Sequence, residues 1–180
     1  MIVVRSTRNC PNTPRVLFAL EELRLSYNNE VVPDGTLTKT WGSPGPSLHD
    51  GDVVTVELGA ILRHLVRRKH GQLWPTTLAL QADADRWIDF HSKRLSRAID
   101  AKDSESVHRL LGFADAQLEQ HHDWFMGKQF TIVDIVWSVF APTEGRARIP
   151  AVAKFPSLMA YFDRLLTRPA YARAMARVPR

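Results

Sequence analysis

The stretch from Asn9 to Leu23, Asn-Cys-Pro-Asn-Thr-Pro-Arg-Val-Leu-Phe-Ala-Leu-Glu-Glu-Leu, constrains this chain more than any other. Just before it lies Ile2-Val3-Val4, a short β-rich run that reads as a buried first strand. Asn9, Pro11 and Asn12 are turn formers. After them Val16, Leu17, Leu20 and Leu23 recur at helical spacing, with Arg15, Glu21 and Glu22 facing water. Two helix starts fit. Thr13 as cap with Pro14 first is the better match to propensity, and Cys10 as cap with Pro11 first brings the thiol closer to the helix dipole. Cys10 is the only cysteine. At a strand-to-helix junction, helix amides and the positive end of the dipole favour the thiolate, which is the reactive form. The competing reading is a small buried hydrophobe. The turn formers on either side argue for a thiol that is not deep in a core.

Beyond this junction, Tyr27 to Val32 reads as a second strand. Residues 33 to 47 hold three prolines and three glycines and are predicted to be a loop. Ser47-Leu48-His49, the turn Asp50-Gly51-Asp52 and Val53-Val54-Thr55 read as a β-hairpin. A helix follows from about Val56 to Arg68, with Leu58, Ile61, Leu62 and Leu65 apolar. The polar stretch Lys69 to Thr77, with Gly71 and Pro75, is the predicted domain boundary. From there the pattern is helical: Leu78 to about Ala98, Ser104 to His122, a helix to about Ala141, another from Phe155 to Thr167, and a last short one from Ala170 to Arg177. Thr131 followed by Asp134 reads as a capping box with aspartate in place of the usual glutamate. The expected domains are 1–68, a linker over 69–77, and 78–180.

With 180 residues the chain can bury a real core. Its apolar content of 44% and charged content of 24% are ordinary for a globular protein. No apolar run reaches the roughly eighteen residues of a membrane span, so no membrane partner is expected. No basic-then-apolar leader is seen, so no signal peptide is expected, and a lone cysteine suits a reducing cytoplasm. The net charge of +5 and pI near 9.7 invite a nucleic-acid reading. The basic residues are scattered, however. Arg63, Arg67, Arg68 and Lys69, and the tail residues Arg164, Arg168, Arg173, Arg177 and Arg180, have no interleaved aromatics. Solvated faces are the expectation, and no nucleic-acid partner. The histidines show no zinc spacing: His121-His122 is a helix-end pair, and His64 and His70 are too far apart for one helical face. No metal is expected.

Five segments together resemble the soluble glutathione transferases, and the match is colinear over essentially the whole chain. Cys10-Pro11-Asn12-Thr13-Pro14-Arg15-Val16-Leu17 resembles the family's Ser/Cys-x-x-x-x-Arg-Val segment. Gly45-Pro46-Ser47-Leu48 before Asp50-Gly51-Asp52 resembles its x-Pro-x-Leu-x-Asp-Gly. Glu57-Leu58-Gly59-Ala60-Ile61-Leu62 resembles its Glu-Ser-x-Ala-Ile. Phe130 to Ile135 and Arg168-Pro169-Ala170-Tyr171 resemble two segments of its helical half. The resemblance implies a thioredoxin-like α/β domain with a four-stranded mixed sheet, followed by an all-α domain. It assigns Cys10 as the glutathione-activating residue and implies glutathione as co-substrate, a small-molecule electrophile as second substrate, a detoxifying role and a homodimer. It also implies a cis peptide before Pro46. Such a turn exposes the backbone of Gly45 for strand-like pairing with an extended peptide such as glutathione.

Glu57 has two readings of equal weight: acceptor for the ligand's α-amine, or a first-turn acid stabilising its own helix. Ser6 is a second hydroxyl near the junction, read as structural. His91 and Arg94 are candidates for the second substrate, with surface residues as the bland reading. Two departures stand out. Leu58 occupies the family's serine position, and one lost hydrogen bond to a charged group costs about 1.5–3 kcal/mol, roughly ten- to a hundredfold in affinity. The Pro/Gly-rich loop predicts that the family's short helix before the proline does not form, so the glycine-carboxylate contacts are missing or come from Lys39 or Trp41. With cysteine at position 10, thiol–disulfide exchange stands beside conjugation. The alternative, favoured by Leu58 and the short loop, is a non-catalytic binding or scaffold domain of the same fold.

Overall fold

A computed structural model of the chain describes residues 1–121 and 123–179. In chain order its elements are β1 (Ile2–Ser6), α1 (Thr13–Glu22), β2 (Tyr27–Val31), α2 (Thr36–Trp41), β3 (Ser47–Asp50), β4 (Val53–Thr55), α3 (Leu58–Arg68), α4 (Leu78–Asp89), a π-helical turn (Phe90–Leu95), α5 (Ser96–Asp100), α6 (Ser104–His121), α7 (Ile132–Trp137), α8 (Thr143–Ala147), α9 (Pro156–Leu166) and α10 (Pro169–Ala176). They fall into two compact units, Met1–Gln72 with Pro169–Arg180, and Leu73–Arg168.

The first unit is built on a four-stranded sheet of order β2-β1-β3-β4. β1 and β2 are parallel, from Ile2 opposite Tyr27 to Ser6 opposite Val31. β3 runs antiparallel to β1, and β4 antiparallel to β3. A parallel pair needs a crossover, and α1 supplies it. This is the four-stranded mixed sheet of a thioredoxin-like domain that the resemblance implies. Asn12 rather than Thr13 is the N-cap of α1, and Pro14 sits in the first turn, where its missing N–H leaves no bond unmade. Every residue of α1 from Arg15 to Leu20 is buried. The helix packs on both α3 and α10, and Phe18 meets Tyr171 of α10 edge-on at 5.4 Å. That contact is why residues 169–180 belong to this unit, whereas the sequence boundary of 78–180 groups them with the helical half.

The loop expectation for residues 33–47 needs correcting, because α2 forms within it. Gly35 and Gly42 bracket the helix at φ of +80° and +67°. The Gly42 N–H donates to the Thr38 carbonyl at 2.9 Å, and Leu37 is buried beneath the helix. Glycine closes a helix in this left-handed conformation without a Cβ clash, so these glycines mark the ends of a helix and not its absence.

The second unit is helical. The helix predicted from Leu78 to about Ala98 is interrupted by the π-helical turn, which inserts an extra residue into the ladder between α4 and α5. His91 in this turn is buried, with its ring 5.4 Å from those of Trp137 and Phe140. It is a core residue, which corrects both the cleft-facing and the surface reading. Trp87, Phe90, Phe125, Trp137 and Tyr161 form the centre of this core, with Phe125 and Trp137 centroids 4.6 Å apart.

The Thr131–Asp134 capping box is present at the start of α7. The Asp134 carboxylate is fully buried. It accepts from Thr131 N (2.8 Å), Phe125 N (3.1 Å), Tyr161 OH (3.2 Å) and Thr131 Oγ1 (3.3 Å). Burial raises its pKa to about 6 even against these hydrogen bonds.

Gly145 of α8 packs against backbone. A Cβ there would lie 2.1 Å from the Val139 carbonyl oxygen and 2.8 Å from the Phe140 Cα. Gly145→Ala is therefore expected to destabilise by about 3 kcal/mol, the upper part of the overpacking range. Gly112→Ala, on α6, has only a flexible Phe155 ring at 3.6 Å and should be neutral or stabilising by up to about 1 kcal/mol. Urea unfolding of the two variants checks the contrast; equal midpoints would contradict it.

Candidate functional site

One end of the sheet gathers the segments singled out from the sequence. β1 leaves the sheet at Ser6 and β2 at Val31, and these two residues are register partners. β3 enters beside them, with Ser47 opposite Arg5, and β4 leaves with Thr55 opposite Leu48. The Cys10 turn, the loop ending in Gly45-Pro46, the Glu57-Leu58 pair and the entry to α2 therefore all emerge at the same end. In α/β sheets, ligands settle outside the carboxyl ends of strands, and this end holds three of them.

Cys10 lies three residues before the start of α1. Its N–H donates to the Thr7 carbonyl at 3.4 Å, and its own carbonyl accepts from Thr13 N at 3.2 Å. The flanking residues Asn9 and Pro11 are exposed, yet Cys10 itself is only 7% exposed. That corrects the expectation of a thiol clear of the core: the turn is open while its small apolar side chain is covered. Ser6 is fully buried, in keeping with its structural reading. The Asn12 side chain makes no capping bond to α1, because its Oδ1 accepts from the Arg15 guanidinium.

Gly45 and Pro46 are both buried, and the peptide between them is trans. The expected cis bond is thus corrected; trans is the ordinary isomer of an X–Pro bond by about 0.5–1 kcal/mol. The Gly45 N–H is directed at Ser43 Oγ, at 3.4 Å. The strand-like pairing expected of a cis turn at Gly45 loses this donor. A Cβ on Gly45 would lie 3.4 Å from Asn12 Nδ2, which places this loop beside the Cys10 turn.

Glu57 is the N-cap of α3, with φ +69° and ψ +125°. A non-glycine residue in that region stores about 1–3 kcal/mol of strain, and such residues cluster at functional sites. The Glu57 side chain is exposed and caps nothing. Glu57 is the cap residue ahead of the helix and not a first-turn acid, which corrects that reading. Leu58 opens α3 with its side chain buried, while the first-turn amides of a helix have no partners within it. The strain at Glu57 and the formation of α2 are the features sequence reasoning missed. The paired glycines at 35 and 42 were a readable signal for the second; a strained backbone at a glutamate has no sequence signature.

On α2, Lys39 and Trp41 are both exposed. Between α2 and the sheet lies a cavity of about 330 Å³ lined by Arg5, Glu30, Leu37, Trp41, Ser47 and His49. Ser47 Oγ and His49 Nε2 are 3.1 Å apart there. Burial and then the neighbouring Arg5 charge lower the His49 pKa against the pull of Glu30. At the far end of β3, Asp50 pairs with Arg68 (2.8 Å) and His64 (3.0 Å) of α3. Within the helical unit a cavity of about 600 Å³ is lined by Arg86, Trp87, Phe90, Lys93, Arg94 and Phe113. Arg94 is therefore exposed on a cavity wall. Among the described residues no group of three His, Cys, Asp or Glu is arranged to hold a metal ion. None of their helices is long and apolar enough to cross a membrane. His122 lies outside the described residues, and so does the side chain of His121.

Residues 90–169 match the family model described as glutathione S-transferase, C-terminal domain. The chain is similar to glutathione S-transferase GstB of Escherichia coli strain K12, 27% identical over 210 aligned residues that take in 94% of this chain and 95% of the relative. It is also similar to glutathione S-transferase 3 of Zea mays, 27% identical over 205 residues, 94% of this chain and 90% of that one. Among solved structures, Ure2p in complex with glutathione superposes with a TM-score of 0.84 at 21% identity, over 96% of this chain and 97% of that chain.

Proposed function

We propose that this chain, which belongs to the soluble glutathione S-transferase family, binds glutathione at the sheet end formed by Cys10, Gly45-Pro46 and Glu57-Leu58 and uses the Cys10 thiol on a small electrophile or a glutathionylated substrate. The observation that carries the reading is the strained Glu57 at the start of α3, held at the same sheet end as the only cysteine. The α-amine of glutathione meets the Glu57 carboxylate. Its γ-glutamyl carboxylate meets the first-turn amides of α3, which favour an anion even without the serine hydroxyl. Lys39 or Trp41, both exposed on α2, meets the glycine carboxylate. In the exchange reaction the Cys10 thiolate attacks the glutathionyl sulfur of a mixed disulfide. A Cys10–glutathione disulfide forms, and the substrate leaves as its thiolate. The thiolate of a second glutathione attacks that sulfur, giving oxidised glutathione and restoring Cys10.

Leu58→Ser tests the placement of glutathione. A hydroxyl restored at the first turn of α3 should tighten glutathione by roughly tenfold or more, measured by titration calorimetry. Unchanged affinity would remove the γ-glutamyl group from this helix end.

A second reading is a glutathione-transferase-like scaffold without catalysis. The observation in its favour is the low exposure of Cys10, and the Ure2p fold has also been solved as the nitrogen regulation fragment of a yeast prion protein. A glutathione-affinity column separates the two. Retention with specific elution supports the enzyme, and flow-through supports the scaffold.

The protein works as a cytoplasmic homodimer in this account. Leu78 and Leu80 of α4 and Phe113 of α6 are exposed apolar side chains that a second copy would cover. Light scattering at micromolar concentration should give twice the chain mass; a monomer mass contradicts the dimer.

A further inference from the structure

Arg24 stands where a glycine is expected. It follows α1 at the point where the chain reverses. Its N–H donates to the Glu21 carbonyl at 3.3 Å, and the Leu25 N–H donates to the Leu20 carbonyl at 3.0 Å. These bonds close the helix in a Schellman-type ending, with Arg24 at φ +51°. That left-handed position crowds a Cβ against the following carbonyl, which is why glycine or asparagine usually fills it. Among the described residues the Arg24 guanidinium has no hydrogen-bond or ion-pair partner. It lines a concavity of about 560 Å³ whose other walls are Glu21, Leu25, Ser26, Tyr27, Arg173 and Arg177.

Arg173 of α10 and Arg177 just after its end border this concavity one turn apart; both stay half exposed, in keeping with the solvated reading, while their guanidinium groups are tethered on one side. Glu21 anchors both. Its Oε2 accepts from Arg173 Nε at 2.9 Å, and its Oε1 accepts from Tyr27 OH at 3.0 Å and lies 3.5 Å from Arg177 Nε. The Arg177 guanidinium also lies over the Tyr27 ring, 5.1 Å from its centroid. Burial acts to raise the Glu21 pKa, but the Arg173 and Tyr27 hydrogen bonds and the two arginine charges outweigh it and hold the carboxyl ionised. Both carboxylate oxygens are thus occupied in orienting arginines. Three guanidinium groups face one carboxylate, an excess of two positive charges in a metabolite-sized hollow.

We infer that this concavity binds a small soluble molecule through a phosphomonoester or pyrophosphate group, gripped between Arg24 on one wall and Arg173 and Arg177 on the other. Guanidinium forks match phosphate oxygens in pairs, and the excess charge matches a phosphate dianion. The cations face one hollow and do not form a stripe, which favours a discrete ligand over an extended nucleic acid. The site is separate from the Cys10 end of the sheet and does not depend on glutathione binding there.

The test uses sodium pyrophosphate as probe on the full chain, by titration calorimetry and thermal unfolding against sodium chloride of equal ionic strength. The wild type should show saturable binding and a rise in Tm beyond the chloride control. Arg24→Gly should melt higher than wild type without ligand, because the left-handed strain is gone, yet bind pyrophosphate at least about tenfold more weakly. Arg24→Lys keeps the charge but not the fork and should fall between the two in affinity. Equal affinity of Arg24→Gly and wild type overturns the proposal, as does the absence of saturable binding in the wild type. Binding to phosphatidylglycerol vesicles that Arg24→Gly abolishes, with no response to pyrophosphate, would place the contact at a lipid surface and overturn it as well.

Discussion

Asp134→Ala is expected to lower stability by about 4–6 kcal/mol, enough to unfold much of a domain of ordinary stability. The size follows from what the alanine strands. Thr131 N, Phe125 N and Tyr161 OH all donate to this carboxylate in a site without solvent, and a buried donor left unmatched costs about 1–3 kcal/mol. The capping of α7 is lost with them. Burial, and then the Asp134 charge, push the Tyr161 phenol well above its ordinary pKa, so it stays protonated and keeps its donor role. Asp134→Asn retains one acceptor oxygen and should fall between wild type and alanine.

The same pair of proteins gives a pH test. The folded-state pKa of Asp134 is about 6 and the reference value is 3.8. The folded chain therefore binds this proton more tightly than the unfolded one. The contribution to stability is fully present below about pH 4 and is lost as pH rises to 6, by about 3 kcal/mol in all. Other carboxylates, Asp50 among them, are held low by their partners and act in the opposite direction. The informative quantity is thus wild type minus Asp134→Asn, measured by urea unfolding from pH 4 to 7. A difference that does not change with pH would contradict the buried-charge account.

Cys10→Ser is expected to abolish thiol–disulfide exchange completely, since serine cannot form the mixed disulfide. Conjugation should survive or increase, because the family uses serine as well as cysteine at the matching position. The readouts are deglutathionylation of a mixed-disulfide substrate and conjugation to a chromogenic electrophile, measured side by side. Exchange that persists in Cys10→Ser would mean that the reaction does not pass through this residue. Loss of both activities, with glutathione still bound, would show that the hydroxyl cannot replace the thiol at this site.

The elements that the sequence made legible are those governed by local pattern. The first strand, α1, the β3–β4 hairpin and the capping box at Thr131 each depend on residues close together in the chain and formed at the predicted places, although α1 is capped by Asn12 and buries Arg15, which its pattern turned to water. What was not legible depends on distant packing. α10 sits on α1 because Phe18 and Tyr171 meet, 153 positions apart in the chain, and no local pattern announces that contact. The burial of His91 depends on Trp137 and Phe140, which a polar-looking helix face gives no hint of. At the candidate site, sequence located the segments, and strand register brought them to one end of the sheet. The isomer of the 45–46 bond and the strain at Glu57 are backbone properties that the residue letters carry only indirectly.

The central claim is that glutathione lies at this sheet end with its sulfur toward Cys10. A crystal of the chain soaked with glutathione addresses it most directly. The account predicts the glutathione sulfur in contact with Cys10 Sγ, the γ-glutamyl carboxylate on the first-turn amides of α3 and its α-amine on Glu57. Glutathione bound elsewhere, or no glutathione at saturating concentration, would contradict it and leave the scaffold reading in its place.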